Sequence, residues 1–275
     1  MDEAFRILDD GRVFFDYGPA SMVVTARRGD ENLSDLAASA FPFLRDSLSE
    51  IAGALPILRQ YPDGMDYSEL TGLPRVMAES VLATGEPTLT PMAAVAGTVA
   101  DAMADWLFAR GADLVAVNSG DGALRLGEGR SIRMGILPDL NGRVTEIVEI
   151  RAEDGIGGVC TSGLGGRSLT RGIAGGVTVF SRRCALADAC ATHIANCSYI
   201  ESPRVHTCLA GEIEPESDIA SLRIVTAVEP LLPEEKKRGL MQVYEETERQ
   251  WKNGNLIRVY ADIQGERLTF ERSAQ

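Results

Sequence analysis

Two oxygen-bearing side chains in the stretch "ALADACATHIAN", residues 185–196, are spaced so that they could hold a metal ion. The pattern predicts a helix, and Asp188 and Thr192 are four residues apart, which makes them neighbours on one face. A carboxylate beside a hydroxyl is an oxygen pair that suits Mg²⁺, often with water or phosphate as further ligands. A second interpretation, which the spacing alone favours, places Asp188 near the helix start as an acceptor for backbone amides. The two interpretations predict different partners for one carboxylate.

The stretch before this helix, residues 161–176, reads "TSGLGGRSLTRGIAGG" and contains six glycines and two arginines. Glycine lets backbone N–H groups come close to an anion, and arginine offers forked donors for phosphate oxygens. The residues predicted to bind a ligand here are Ser162, Gly165, Gly166, Arg167 and Arg171. The run has no Walker-type lysine after its glycines, so a generic phosphate loop is not indicated. The alternative is a mobile surface loop with solvated arginines.

A second glycine turn, "VNSGDG", places Asp121 at the end of a predicted strand. Its carboxylate could bond a ribose hydroxyl or an adenine amine. The alternative is an ordinary turn in which the side chain bonds its own backbone.

The five cysteines also allow a zinc interpretation, because Cys190, His193 and Cys197 stand at helical spacing. However, no CxxC pair is present, and the two cysteines fall on the apolar face of the predicted helix. We therefore expect five reduced thiols, with Cys190 and Cys197 buried, and no bound zinc. The chain also has no GxSxG elbow, so a serine hydrolase is not indicated.

The composition limits the classes of partner. A formal net charge of -13 argues against nucleic acid or an anionic membrane. No apolar run approaches the roughly 18–20 residues that span a bilayer, and the first residues do not resemble a signal peptide. An odd number of cysteines in a long chain favours a reducing cytoplasm. The expected partner is a small anionic ligand or nucleotide. The oligomeric state stays open, with a homodimer as one option.

Strands and helices mix without a regular βαβ period, so we expect an α+β fold with mixed or antiparallel sheets and packed helices, in one domain over residues 1–275. Thr90 and Pro91 are expected to start a helix that ends at Gly111, and its many alanines favour close contact with a sheet. A strand–glycine turn–strand–helix order in both halves is compatible with internal duplication. Pro42 is expected to kink or split the first helical segment.

Taken together, the segments "MAAVAGTVADAMADWLFARGADLVAVNSGD", "SIRMGILPD", "GVCTSG" and "GVTVFSRRCALADACAT" resemble the ApbE family, the flavin transferases that move FMN from FAD onto a protein Thr or Ser. The resemblance covers roughly residues 85–200. It implies that Asp188 and Thr192 hold Mg²⁺, and that the glycine–arginine run handles phosphate.

The chain also departs from that family. The run "GLGGRSLTRGIAGG" stands where the family has a His-x-x-Asp-Pro…Thr-Gly motif, and it contains neither His nor Asp. A lysine that the family carries on the Ala/Gly-rich helix is missing as well. The sequence therefore leaves three functions open. One is an Mg²⁺-dependent transferase or hydrolase acting on FAD or a related nucleotide. The second is a protein that binds a flavin or nucleotide without turning it over, and the third is a structural or interaction protein on an inherited scaffold.

Overall fold

The computed structural model describes residues 4–62, 66–136, 146–166 and 168–271. These residues form strands and helices in an irregular order, which is the expected α+β class. The strands are β1 Phe5–Ile7, β2 Val13–Tyr17, β3 Ala20–Arg28, β4 Glu31–Asn32, β5 Leu114–Asn118, β6 Gly122–Leu126, β7 Ser131–Ile136, β8 Glu146–Arg151, β9 Gly158–Ser162, β10 Gly176–Ser181, β11 Val205–Leu209, β12 Arg223–Val228, β13 Arg258–Ile263 and β14 Glu266–Glu271. The helices are α1 Ser34–Ala38, α2 Phe41–Leu58, α3 Gly72–Thr84, α4 Val95–Phe108, α5 Cys184–Cys197 and α6 Pro233–Lys252.

A 10-stranded sheet runs through both halves of the described chain in the order β1-β2-β3-β5-β6-β9-β10-β13-β14, with β4 beside β3. The neighbouring strands in this order pair antiparallel. Two further antiparallel pairs stand apart, β7 with β8 and β11 with β12. The antiparallel part of the fold expectation is therefore confirmed.

Strands β10 and β13 are covered on both faces. Val177 and Val179 point into the large core beneath the helices, whereas Phe180, the next residue along, packs into a smaller cluster with residues of β7 and β8. This alternation follows from the two-residue period of a strand. The helices therefore lie on one face of the sheet, and the β7–β8 hairpin covers part of the other.

Pro42 acts as the sequence predicts: the first helical segment is split, and Pro42 stands in the first turn of α2. The helix predicted from Thr90 is less regular than expected. Residues Pro91–Ala94 form a short 3₁₀ turn, and α4 follows it. Thr90 does not cap this helix through its side chain, because its hydroxyl donates to Asp218 instead.

The alanine- and glycine-rich α4 packs on strands β5 and β6 of the sheet, as its composition predicts, and it also lies against α5. A Cβ atom at Gly97 would lie 2.4 Å from the backbone oxygen of Cys184. Real Cβ atoms do not come that close, so glycine is required there. The contact brings the first turn of α4 against Asp188 on α5.

Within the described residues, no helix is long and apolar enough to cross a bilayer.

Candidate functional site

A cleft opens at one end of the sheet, between the start of α4, the β5–β6 turn and the loop after β9. It has two compartments of about 500 and 310 Å³, which share Val95, Ala96, Asp121 and Ser168. Both volumes fall in the range of about 300–1,000 Å³ that is typical of small-molecule sites.

The larger compartment is mainly apolar. Met22 from β3, Leu48 from α2 and Val99 from α4 form part of its wall. Its polar rim consists of Ser21, Ser119, Thr161 and the glycine loop. It therefore suits the ring system of a ligand better than its charged end.

The smaller compartment is polar. Side chains from four separate parts of the chain line it: Thr88, Thr90, Arg171, Asp188, Thr192, Asn196, Glu214 and Asp218. Asp121 stands at the border with the apolar compartment. A ligand that fills both compartments would have one apolar end and one end that interacts with charges.

Asp188 is held from outside its own helix. Its Oδ2 accepts a hydrogen bond of 2.8 Å from the backbone N–H of Gly97, in the first turn of α4. That amide lies at the positive end of α4 and would otherwise lack a helical acceptor. Asp188 therefore does accept a hydrogen bond from a backbone amide at a helix start, as the second interpretation predicts. The helix is α4, however, and not α5, to which Asp188 belongs. Oδ1 receives no hydrogen bond from the described residues, so one oxygen of Asp188 is left for a ligand.

No cation of the described residues forms an ion pair with Asp188. Burial raises the pKa of its carboxyl group well above the usual value, and the nearby negative charge of Asp121 raises it further, whereas the Gly97 amide lowers it. Two carboxylates near each other in a partly buried cleft disfavour the doubly ionised state unless a cation is present.

Thr192 lies one helical turn after Asp188, on the same side of α5. Its hydroxyl lines the polar compartment and makes no hydrogen bond to the described residues. Asn196, one turn further, accepts a hydrogen bond of 2.9 Å from the backbone N–H of Arg171. One edge of α5 thus faces the cleft over three successive turns.

Asp121 reaches the cleft from the turn after β5. Its Oδ1 accepts a hydrogen bond of 3.4 Å from the backbone N–H of Thr161, at the end of β9. Its backbone oxygen accepts one of 3.0 Å from Ser119. The carboxylate thus ties the β5–β6 turn to the start of the glycine run.

The glycine run lies along the cleft and is fastened at its second half. Gly165 and Gly166 line the apolar compartment. At Gly172 a Cβ atom would lie 1.8 Å from the backbone oxygen of Ala195, so this glycine lets the run pack on α5. Ser162 is not part of the cleft lining, because its neighbour Thr161 takes the cleft-facing position on β9. Arg167 lies outside the described residues.

Arg171 enters the polar compartment, and its Nη1 donates a hydrogen bond of 2.5 Å to the hydroxyl of Thr88. No carboxylate of the described residues forms an ion pair with it. Arg183, which is close to Arg171 in sequence, instead pairs with Asp101 and Asp105 away from the cleft. The basic residues of this region thus have different partners.

The described part of the cleft is strongly acidic. Four carboxylates face it, those of Asp121, Asp188, Glu214 and Asp218. The guanidinium of Arg171 is the one cation among the described lining residues. Oxygen donors of this kind suit a hard divalent cation. The Oδ1 atom of Asp188 and the hydroxyl of Thr192 have no protein donor or acceptor among the described residues, so the donor set fits Mg²⁺.

Sequence reasoning missed several residues of the polar compartment. Asn196 could have been found, because it continues the four-residue spacing of Asp188 and Thr192. Glu214 and Asp218 belong to the acidic stretch "EIEPESD", which has no recognisable spacing. Thr88 precedes α4, and nothing local connects it to Arg171.

A different cluster surrounds His193 on another face of α5. His193 Nε2 lies 2.8 Å from Glu246 Oε1, and Arg249 Nη2 lies 2.7 Å from the same oxygen. His193, Cys197 and Glu246 have donor types that could hold zinc, and their ligand atoms lie within 4.8 Å of one another. However, the Arg249 guanidinium is 3.2 Å from His193 Nε2 and supplies the positive charge there. The cluster is a satisfied ion-pair network.

The cysteines are free thiols, as expected. Cys190 is buried, but Cys197 is only partly buried, so that half of the expectation is wrong. Burial raises the pKa of Cys190 to about 12, which makes it unreactive at neutral pH. Cys160 and Cys184 bring their sulfur atoms to 3.3 Å, deep between β9 and α5.

Another cavity, of about 550 Å³, lies between α6 and β14. It is shallow and mostly apolar, and none of the site residues predicted from the sequence lines it. Of the site residues predicted from the sequence, Asp121, Gly165, Gly166, Arg171, Asp188 and Thr192 line the cleft instead.

A family model described as AbpE bacteria matches residues 5–269. The UPF0280 protein of Methanopyrus kandleri is 36% identical over 140 residues, which cover 49% of this chain and 54% of that protein. The UPF0280 protein of Methanococcoides burtonii is 29% identical over 179 residues, covering 65% and 74% respectively. The match thus spans about half the length of the first relative and about three quarters of the second.

Two solved structures match this chain over most of its length. The flavinyl transferase ApbE of Pseudomonas stutzeri, in its apo form, superposes with a TM-score of 0.49 and 14% identity, over 98% of this chain and 97% of that one. The flavin transferase ApbE of Vibrio cholerae gives a TM-score of 0.44 and 13% identity, over 94% and 96%.

Proposed function

Since the chain belongs to the AbpE bacteria family, and so to the ApbE-like superfamily, we propose that its cleft binds FAD or a related nucleotide together with Mg²⁺. In this proposal the protein is an Mg²⁺-dependent transferase or hydrolase that acts on the nucleotide. The observation that carries it is the meeting of Asp121, Asp188 and Thr192 with Arg171 in one cleft. Asp121, Asp188 and Thr192 belong to segments that resemble the family, whereas Arg171 belongs to the glycine run in which the chain departs from it.

Asp188 and Thr192 would hold the metal. Asp188 has one oxygen fixed by the Gly97 amide and one left for a ligand, so its carboxylate is already oriented. Thr192 offers a hydroxyl oxygen with no competing protein partner among the described residues. When bound, Mg²⁺ would neutralise phosphate charge and polarise a phosphoryl oxygen.

Arg171 would bind the phosphate end of the nucleotide. Its backbone is fixed by Asn196 and its Nη1 by Thr88, so the guanidinium is held at the edge of the polar compartment. Arg167, predicted from the sequence to assist, remains part of the proposal, whereas Ser162 does not line the cleft and has no part in it. Gly165 lines the cleft, and its N–H has no acceptor among the described residues, so it can approach an anion.

Asp121 and the apolar compartment would bind the remainder of the nucleotide. Asp121 stands where the two compartments meet, at a position suited to a ribose hydroxyl or an amine. The aliphatic walls formed by Met22, Leu48 and Val99 would exclude water from a ring system.

A second function, binding without turnover, is favoured by one observation. The run from Gly163 to Gly176 contains no His, Asp or Glu, although the resemblance places the acid/base chemistry there. On this alternative the cleft retains its ligand and releases no product.

Product analysis after incubation with FAD and Mg²⁺ separates these functions. Turnover predicts AMP together with FMN, either free or attached to protein, and predicts its loss when Mg²⁺ is omitted or in Asp188→Asn. Asp35→Asn is the control, because Asp35 is an exposed helical aspartate outside the cleft. Retention of intact FAD would support the binding function. If the wild-type protein neither binds nor converts FAD, the proposed ligand is wrong.

A further inference from the structure

The contacts of Arg171 differ from those expected of an arginine in an acidic cavity. Asp188, Glu214 and Asp218 line the same compartment of about 310 Å³. A guanidinium commonly forms bidentate pairs with such carboxylates. Here Nη1 instead donates to the neutral hydroxyl of Thr88 at 2.5 Å. Some feature of the structure holds the guanidinium away from the carboxylates.

Thr88 can do this because its own hydroxyl is oriented. The hydroxyl donates to Glu86 Oε1, and the same oxygen accepts a hydrogen bond of 3.1 Å from the backbone N–H of Thr88. A hydroxyl has one proton to donate and two lone pairs that accept. With the proton committed to Glu86, a lone pair faces Arg171, which can only donate.

Glu86 is itself fixed. Its Oε2 lies 3.6 Å from Nδ1 of the buried His193, and its backbone N–H donates 3.2 Å to the hydroxyl of Thr84. The ordered series therefore runs from His193 through Glu86 and Thr88 to Arg171. Asn196 fixes the other end of the arginine by accepting its backbone N–H.

We propose that Thr88 is a positioning residue that keeps Arg171 apart from the carboxylates of the polar compartment. This inference rests on the proposed function, in which the carboxylates hold a cation and Arg171 holds an anion. If Arg171 paired with Asp188 or Asp218, each would cancel the other, and neither ligand would bind well. Thr88 keeps the cation-binding and anion-binding groups of one small cavity available together.

The proposal predicts different Mn²⁺ affinities for substitutions at Thr88 and at Arg171. Thr88→Val keeps the shape but removes the acceptor, so Arg171 turns to the carboxylates and competes with the cation. Mn²⁺ affinity should then fall roughly tenfold, because a unit charge a few ångströms away acts strongly in a partly buried site. Arg171→Ala removes the competitor and should leave Mn²⁺ affinity equal or higher. Thr88→Ser keeps the hydroxyl and should behave like the wild type.

The experiment measures Mn²⁺ binding by electron paramagnetic resonance, and inorganic pyrophosphate binding by calorimetry in saturating Mg²⁺. Thr88→Val should lose affinity for both probes, and Arg171→Ala for pyrophosphate alone. In the double variant Mn²⁺ affinity should return to the Arg171→Ala value. Unchanged Mn²⁺ affinity in Thr88→Val, or no recovery in the double variant, would overturn the proposal.

A measurement that needs no ligand tests the positioning of Arg171 by Thr88 separately from the proposed function of the cleft. If the wild type binds neither Mn²⁺ nor pyrophosphate, the proposed function fails, and NMR of the ¹⁵N-labelled Arg171 side chain still tests the positioning. Thr88→Val should speed the rotation of the guanidinium or shift its signals, and Thr88→Ser should not. Identical signals in all three proteins would show that Thr88 does not position Arg171.

Discussion

Helix α5 presents charged or ionisable side chains on two faces. The two faces differ in whether other protein groups balance the charges. On one face, His193 meets Glu246, which also accepts hydrogen bonds from Arg249 and Gln250. On the other, Asp188 faces a cavity that contains more carboxylates than cations among the described residues. The first cluster is complete within the protein. Among the described residues, the second has less positive than negative charge, and a ligand could supply the difference.

The electrostatics of the two carboxylates show the same contrast. Burial alone would raise the pKa of Glu246, but its hydrogen bonds to His193, Arg249 and Gln250 outweigh burial and lower the pKa to about 2. For Asp188, burial and Asp121 both raise the pKa, and the Gly97 amide does not compensate. Burial is common to both, so the partners determine which carboxylate stabilises the fold and which is suited to binding.

The largest expected difference is in stability. Glu246→Gln should lower the free energy of unfolding by roughly 3 kcal/mol, because it leaves His193 and Arg249 without their shared acceptor charge. Asp188→Asn should cause no loss, since it removes a charge that burial disfavours. Urea denaturation of both variants without divalent cations makes the comparison. Equal destabilisation would show that Asp188 is also a structural charge.

The next effect concerns the metal. Asp188→Asn should weaken Mn²⁺ or Mg²⁺ binding about ten- to hundredfold, the size expected for losing one charged interaction of about 1.5–3 kcal/mol. Glu246→Gln should leave the cation affinity unchanged at a temperature where it is folded. Calorimetric titration measures both. A cation affinity that depends on Glu246 instead would move the metal site to the His193 cluster.

Substitution of the arginines of the glycine run should weaken anion binding without lowering stability. Arg171→Ala should weaken binding of FAD or pyrophosphate about ten- to hundredfold, with stability nearly unchanged. We expect the same of Arg167→Ala, although Arg167 lies outside the described residues. Titration of the wild type and both variants measures this. Equal affinities in the three proteins would leave the glycine run with a purely structural role.

The smallest effect is a pH dependence of opposite sign at the two carboxylates. The pKa of Glu246 is lowered from 4.5 to about 2, so its stabilisation is present above pH 4.5 and is lost as the pH falls through about 2. The pKa of Asp188 is raised from 3.8, so it favours the fold at low pH, and this contribution is lost as the pH rises through the raised value. Unfolding curves should show the acid-side loss disappear in Glu246→Gln and the loss on raising the pH disappear in Asp188→Asn. Saturating Mg²⁺ should also remove the latter.

The sequence predicted the parts of this comparison that depend on local spacing. The bounds of α5 and the shared face of Asp188 and Thr192 follow from the helical period and the family resemblance. The partners of these residues do not, because Gly97, Thr88 and Asp218 come from distant parts of the chain. A four-residue interval shows which side chains are neighbours, but tertiary packing decides whether an opposite charge meets them. The same limit explains why Thr90 was expected to cap a helix and instead bonds Asp218.

Calorimetric titration of the wild-type protein with FAD, with and without Mg²⁺, tests the central claim most directly. Because four carboxylates face one described guanidinium in the cleft, a polyphosphate ligand should bind only when a divalent cation accompanies it. The account predicts saturable FAD binding in Mg²⁺, little binding in its absence, and loss of the Mg²⁺ effect in Asp188→Asn. Equal FAD affinity with and without Mg²⁺, or an Mg²⁺ effect that survives in Asp188→Asn, would contradict it.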